Sequence, residues 1–427
     1  EKMKKTIKLA VVAALALGAT SAFATNGSTL LGIGAKSRGM GGVGIATGLG
    51  AESGINNPAL ITTIKGNNEI SFGGTVFMPD IKVQATTTAI GGSNGAEQTS
   101  DSDMFVIPSV SLASKINDNW YWGIGMWGTG GLGVDYRDDT ANSTFSMVTA
   151  LQTMQFGVPV AYTSNGFSIG ITPIVQYSSL DIEYTQPVAF RAPGDDGRIG
   201  SGVAQDLAFG VNLGLAYEVS GFTIGAVYKS EIKFDTKDVM NAALDGFGVG
   251  PSNPMGMGTT LDEMATPEEI GVGISYTTAG HTLAIDYKMI NWEDAEGYAE
   301  FGWEDQDVIA VGYEYATDAW AVRCGYQYAE SAVQDNLGKG LDIDNAHVAN
   351  MNYFGFPGSD YSLTNTFNLL GFPGTQESHI TLGGSYVFNE TLSMDLAAVY
   401  GLENKETVTG FTGQDITSTH SEQSYSI

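Results

Sequence analysis

LAFGVNLGLAY, residues 207–217, decides the fold. Leu207, Phe209, Val211, Leu213, Leu215 and Tyr217 fall on one side of an extended chain, and Ala208, Gly210, Asn212, Gly214 and Ala216 on the other. A period of two marks a β-strand with unlike faces. A secreted two-sheet sandwich would bury the oily face and expose a polar one. Here the second face is small, with few charges, which suits the crowded bore of a closed barrel whose oily face meets lipid. The pattern returns at 320–328, where Trp320, Val322, Cys324, Tyr326 and Tyr328 alternate with Ala321, Arg323, Gly325 and Gln327.

Working outward gives fourteen candidate strands: 69–83, 103–115, 119–128, 152–163, 166–185, 204–218, 221–236, 266–278, 280–293, 303–316, 318–330, 376–389, 391–408 and 419 onward. Their connections alternate in length. Tight turns at 117–119, 164–166, 220–221, 278–280, 317–318 and 389–390 are separated by longer loops, the longest at 331–375. Short turns at one end and long loops at the other describe an outer-membrane barrel with periplasmic turns. Trp120, Trp122, Tyr162, Tyr217, Tyr276, Tyr313, Tyr315, Tyr386 and Phe388 crowd the short turns, where rings with a polar tip favour a membrane interface. The expected class is all-β: a 14-stranded antiparallel transmembrane β-barrel in the bacterial outer membrane. Its last strand, ending Ser424-Tyr425-Ser426-Ile427, is expected to be truncated, short of the ~9–11 residues a spanning strand needs.

Composition narrows the function. The 427 residues carry 19 Lys+Arg against 47 Asp+Glu, a formal charge of −28, which repels phosphate backbones and excludes nucleic acid as partner. A single Cys excludes an intramolecular disulfide framework and a thiolate-only metal site. The apolar run at 9–19 is too short for a membrane helix. With Lys2, Lys4, Lys5 and Lys8 before it and Ala22-Phe23-Ala24 behind, it reads as a secretory signal peptide, residues 1–24. Residues 25–67 do not alternate, and they hold Gly32, Gly34, Gly39, Gly41, Gly42, Gly44, Gly48 and Gly50. So little bulk cannot build its own core, so the segment is expected to pack inside the barrel formed by 68–427.

At this point the sequence resembles the FadL family of outer-membrane transporters of long-chain fatty acids and hydrophobic compounds. The residues that carry the resemblance are Gly39-Met40-Gly41-Gly42-Val43-Gly44-Ile45-Ala46, followed by the box Asn57-Pro58-Ala59-Leu60-Ile61-Thr62. Tyr228-Lys229-Ser230-Glu231-Ile232-Lys233, Pro267, Ile285-Asp286-Tyr287 and Asn291-Trp292 extend it along the chain. The resemblance implies an N-terminal hatch with Asn57, Pro58 and Ala59 as its motif, and a kinked third strand that opens a lateral route. It also implies passive uptake of a hydrophobic small molecule, with no catalysis. Fatty-acid-binding members carry basic residues beside the ligand head group. Residues 180–187 and 294–300 show no clear match, which keeps alkanes and aromatics open beside fatty carboxylates. Outer-membrane lipid, lipopolysaccharide and the barrel-assembly machinery are the implied partners of a monomer.

The candidate residues follow from both readings. Gly128, Gly130 and Gly131, within a run from Gly123 to Gly133, mark the kink, because glycines inside a strand favour bulges. Lys229, Glu231, Lys233, Asp286, Lys288 and Arg323 share the inward parity of their strands, as does Glu314. They form either a paired network that anchors the hatch or a seat for a ligand head group. Phe354, Phe356, Phe367, Leu370 and Phe372 make the longest loop an apolar wall or catch site at the mouth. The G-x-G-x-x-G runs at 39–44 and 123–128 lack the strand-to-helix setting of a dinucleotide loop. His281, His347, His379 and His420 show no nucleophile spacing, and Asp335, Asp342, Asp344 and Asn345 read as a solvated loop. No metal or cofactor is expected. A general porin, a barrel hydrolase and an adhesin are the competing readings.

Overall fold

The computed structural model describes residues 26–85, 95–139, 143–186, 191, 194–246, 250–252, 260–333, 359–409 and 415–427. The signal segment, Phe354, Phe356, the acidic loop and His347 lie outside these. Fourteen long antiparallel strands close into a barrel. They are β1 (Asn68–Ala85), β2 (Phe105–Lys115), β3 (Trp120–Asp135), β4 in two pieces (Val148–Gly157 and Val160–Ser164), β5 (Phe167–Thr185), β6 (Ala204–Val219) and β7 (Phe222–Lys229), then β8 (Glu269–Thr278), β9 (His281–Ile290), β10 (Gln306–Ala316), β11 (Trp320–Tyr328), β12 (Ser378–Asn389), β13 (Leu392–Thr409) and β14 (Asp415–Ser426).

The turns show why these registers hold. Asn165-Gly166, Ser220-Gly221 and Ala279-Gly280 all have positive φ at both positions, from 48° to 84°. Two-residue turns of that hand match the twist of the strands they join, and glycine takes the second position without strain. Alternation then sorts the side chains. Phe72, Phe209 and Leu382 stand 83%, 78% and 62% exposed on the outer face, while Ala208 and Ala216 point into the bore. Cys324 lies on the outer face, which meets lipid. Trp120 packs on Tyr162 at 5.1 Å and Tyr315 on Trp320 at 5.6 Å, beside the short turns.

Two expectations change. The third strand does not end at 128 but runs through the glycines to Asp135. The last strand is not a stub either. β14 starts at Asp415 rather than 419, has 12 residues and pairs with β1 from Thr75↔Ser426 to Ala85↔Ile416. Its start was hidden because Asp415, Thr417 and Thr419 on its outer side are polar.

Candidate functional site

Residues 26–64 are threaded through the bore in short helical turns, and most of their side chains are buried against the inward faces of the strands. The glycines make this fit. Gly41 (φ 72°) lies so close to the wall that a Cβ would stand 2.9 Å from the Tyr326 backbone N and O. The Gly44 and Ile45 amides donate to Asp286 Oδ2 at 2.7 and 2.8 Å, and the Gly41 amide donates to Thr381 Oγ1 at 2.9 Å. Asn57 is fully buried. Its Nδ2 donates to the Ile45 and Leu215 carbonyls at 2.7 and 3.1 Å, while its Oδ1 accepts from the Ala59 amide at 3.0 Å. That bond caps the 3-10 turn Pro58–Thr63, which starts on a proline that has no amide to satisfy. Pro58 and Ala59 sit against Gly170 and Gly214 of the wall.

The charges form two groups. Lys229 and Lys288 flank Glu269 at 2.9 and 3.7 Å. Arg323 pairs with Glu314 at 2.6 Å and Asp395 at 3.5 Å, and Asp395 also meets Lys36 of the threaded segment at 3.7 Å. Glu231 and Lys233 join neither. The chain breaks after Lys229, and Ile232–Asp235 pairs with Glu263–Thr266 in a separate small sheet. Parity flips there, so Ile232 and Phe234 are buried while Lys233 stands in the open, 2.9 Å from Glu296. Sequence reading missed Glu269 and Asp395, which complete the pairs. It also missed Glu52, whose carboxyl burial pushes up to about 7 although Ser71 Oγ donates to it at 2.9 Å. Arg38, also missed, is fully buried, and burial lowers its guanidinium to about 10.

β3 is irregular around Gly128, Gly130 and Gly131. β3 pairs with β2 only from Lys115↔Tyr121 to Ser109↔Trp127. At Thr129 the register against β4 slips by one residue, between Gly128 and Gly130. Beyond it, β3 and β2 are unpaired among the described residues, and the Asp135 carbonyl accepts from the Asp101 amide, ahead of β2, at 2.8 Å. This leaves a gap in the strand pairing. Its β3 edge is paired to the threaded segment instead: Leu30 N–H donates to the Thr129 carbonyl at 3.2 Å, and Gly131 N–H to the Ser28 carbonyl at 2.9 Å. Leu30 packs among Phe77, Phe105 and Ile107 beside that gap.

Beside it lies a packed apolar cluster. Trp292, Tyr298 and Trp303 pack with ring centroids 4.6–5.0 Å apart, and Phe301 stacks on Phe367, which meets Phe372 at 5.7 Å. Phe367, Leu370 and Phe372 are therefore inside the bore rather than at its rim. A cavity of about 80 Å³ lies between the threaded segment and the wall, bordered by Ile33, Ile45, Thr129, Lys229, Glu269 and Lys288.

The sequence model of the outer membrane protein transport protein family (OMPP1/FadL/TodX) matches residues 9–339. A long-chain fatty acid transport protein of Escherichia coli O6:H1 is 26% identical over 387 residues, covering 81% of this chain and 79% of that one. The fold is similar to a Pseudomonas aeruginosa FadL homologue (TM-score 0.65, 15% identity, 94% of this chain and 98% of that). It is also similar to the P. putida toluene transporter TodX (TM-score 0.63, 19% identity, 93% and 97%). The chain thus belongs to the OMPP1/FadL/TodX family and is an outer-membrane β-barrel transporter of hydrophobic substrates.

Proposed function

We propose that this barrel takes up long-chain fatty acids or hydrocarbons passively: the substrate collects at the Trp292–Tyr298–Trp303 cluster, residues 26–64 act as the hatch, and exit is sideways through the window between β2 and β3. Transfer of apolar area out of water drives capture, at ~25 cal/mol per Å². No bond is made or broken. Two of the named relatives, a fatty acid transporter and a toluene transporter, are consistent with such a substrate. The observation that carries the reading is the edge of β3 hydrogen-bonded to Ser28–Leu30 instead of to β2, so that moving one hatch segment uncovers the gap between the two strands. The barrel is taken to work as a monomer, surrounded by outer-membrane lipid and lipopolysaccharide after insertion by the barrel-assembly machinery.

A staple at the rim of the window, next to the last β2–β3 pair, tests whether the two strands must part. A Cβ on Gly128 would lie 3.7 Å from that of Ile107, within disulfide range. In a Cys324→Ser background, Gly128→Cys with Ile107→Cys is expected to lose uptake of a labelled fatty acid or alkane when oxidised and to regain it on reduction. Uptake indifferent to the staple refutes exit by parting of β2 and β3.

A further inference from the structure

The last turn of the helix Ser359–Gly371 and the residues after it, 372–376, lie at the end of the bore that carries the long loops. Ties from three parts of the wall hold this segment. Thr149 Oγ1 on β4 donates to the Gly371 carbonyl. Asn368, 1% exposed, bonds the connection between β9 and β10 through both ends of its amide. Its Nδ2 donates to the Phe301 carbonyl at 2.9 Å, and its Oδ1 accepts from Trp303 Nε1 at 3.2 Å. Asn404 Nδ2 on β13 donates to the Thr375 carbonyl at 2.7 Å, and Gln376 Nε2 donates to the Leu402 carbonyl of the same strand at 2.6 Å. These parts of the wall stand at least three strands apart around the barrel, so the segment spans the bore instead of skirting its rim. It lies directly on the hatch, since a Cβ on Gly374 would stand 3.1 Å from Gly27 Cα. Phe301 and Phe367 meet where the segment joins the β9–β10 connection, their ring centroids 5.1 Å apart and their planes 9° from parallel. Thr375 Oγ1 and Gln376 Oε1 are buried without a hydrogen-bond partner among the described residues.

We propose that residues 368–376 are an entrance lid over the aromatic cluster, with Asn368 as its clasp and the Phe301–Phe367 contact as the seam through which a hydrophobic substrate enters. The proposal rests on the reading that substrate collects at that cluster. Two stacked rings part without stranding a polar atom, so the seam itself offers little resistance to an apolar molecule. The clasp resists more, because opening breaks both buried hydrogen bonds of Asn368 at once. At the other end of the lid, the unpartnered oxygens of Thr375 and Gln376 gain partners once water reaches them, which favours release there. Asn368 is a positioning residue: it holds two loops together and leaves contact with the substrate to the rings. The lid covers the cluster whether or not a substrate is present. A looser clasp therefore speeds entry and exit alike and leaves the affinity as it was.

Binding kinetics of the full chain in lipid nanodiscs test the lid. The probe is a dibrominated long-chain fatty alcohol, whose bromines quench Trp emission only at short range, and release is followed by chasing with the unbrominated alcohol. Trp120→Phe, Trp122→Phe and Trp320→Phe remove the exposed indoles, so the signal comes from Trp127, Trp292 and Trp303, all buried in the bore. In that background Asn368→Ala is expected to raise the association and release rates together by roughly tenfold, with the dissociation constant held within about twofold. Asn404→Ala frees the Thr375 carbonyl from β13 and lies outside the aromatic cluster, and it should raise both rates in the same way. Faster release with a matching loss of affinity overturns the lid, because Asn368 then only shapes a binding contact. Quenching in the parent with rates unchanged in both variants sinks the lid alone. A parent chain whose buried indoles are never quenched sinks the reading of the cluster as the substrate site, and the lid with it.

Discussion

At the scale of single residues, the hatch is held by close backbone approach and by buried carboxyls, and these fail in different ways. Gly41→Ala would need a left-handed backbone, costing about 1–2 kcal/mol, and would also push a methyl against the Tyr326 backbone. The segment is expected to lift from the wall, so that protease cuts the hatch while the barrel core stays intact. Glu52 gives a pH dependence with a definite sign. Its carboxyl is raised from 4.5 to about 7 by burial, so the folded hatch prefers it protonated. Its contribution is fully present below about pH 4.5 and is lost as pH rises to about 7, on the order of 3 kcal/mol in total. Glu52→Gln should therefore protect amides 50–64 better than the parent at pH 8 and equally at pH 4. The reverse order would place the carboxyl in water. The Asn57-Pro58-Ala59 box was legible because a cap and a proline start are local features. Glu52 was not, because nothing near it in sequence reveals that Ser71 and the wall enclose it.

At the scale of elements, the informative feature is β3. Its glycines flank a one-residue slip in register at Thr129. What they did not announce is that β3 abandons β2 and borrows Ser28–Leu30 as its neighbour, since strand partnership is long-range and a period of two says nothing about who pairs with whom. The same limit misplaced Glu231 and Lys233. Parity was carried through the break after Lys229, and one irregular stretch turned both side chains out of the bore. Leu30 tests the borrowed pairing. Leu30→Ala removes the side chain packed on Phe77, Phe105 and Ile107, a loss of about 2–5 kcal/mol for a buried leucine. The barrel side chains of that cluster come from β1 and β2 alone, so thermal unfolding of the barrel should barely move, while amides 28–31 lose protection and leak of an apolar probe rises. Unchanged protection would show that Leu30 does not hold the segment in place.

At the scale of the whole molecule, the outer face, the strand count and the loop asymmetry were readable because lipid imposes one rule on every strand: oily side chains out, small ones in. The bore obeys no such rule, and its charge balance emerges only when distant strands meet. Among the described residues, Lys229 and Lys288 share Glu269, and Arg323 and Lys36 share Asp395. Carboxylates near every one of these cations leave little free positive charge for an anionic head group, while the apolar cluster offers Trp, Tyr and Phe rings. Recognition is therefore expected to depend on the apolar tail. In binding experiments at pH 8, a long-chain alcohol and the fatty acid of equal length should bind within a few-fold of each other. Glu269→Gln strips Lys229 and Lys288 of their carboxylate. Breaking such a buried pair costs about 3–5 kcal/mol, so some loss of stability is expected. The fatty acid should then gain affinity over the alcohol by roughly tenfold, as its carboxylate takes the vacated place. A parent protein that already prefers the acid strongly would mean that a cation in the bore is free to receive it.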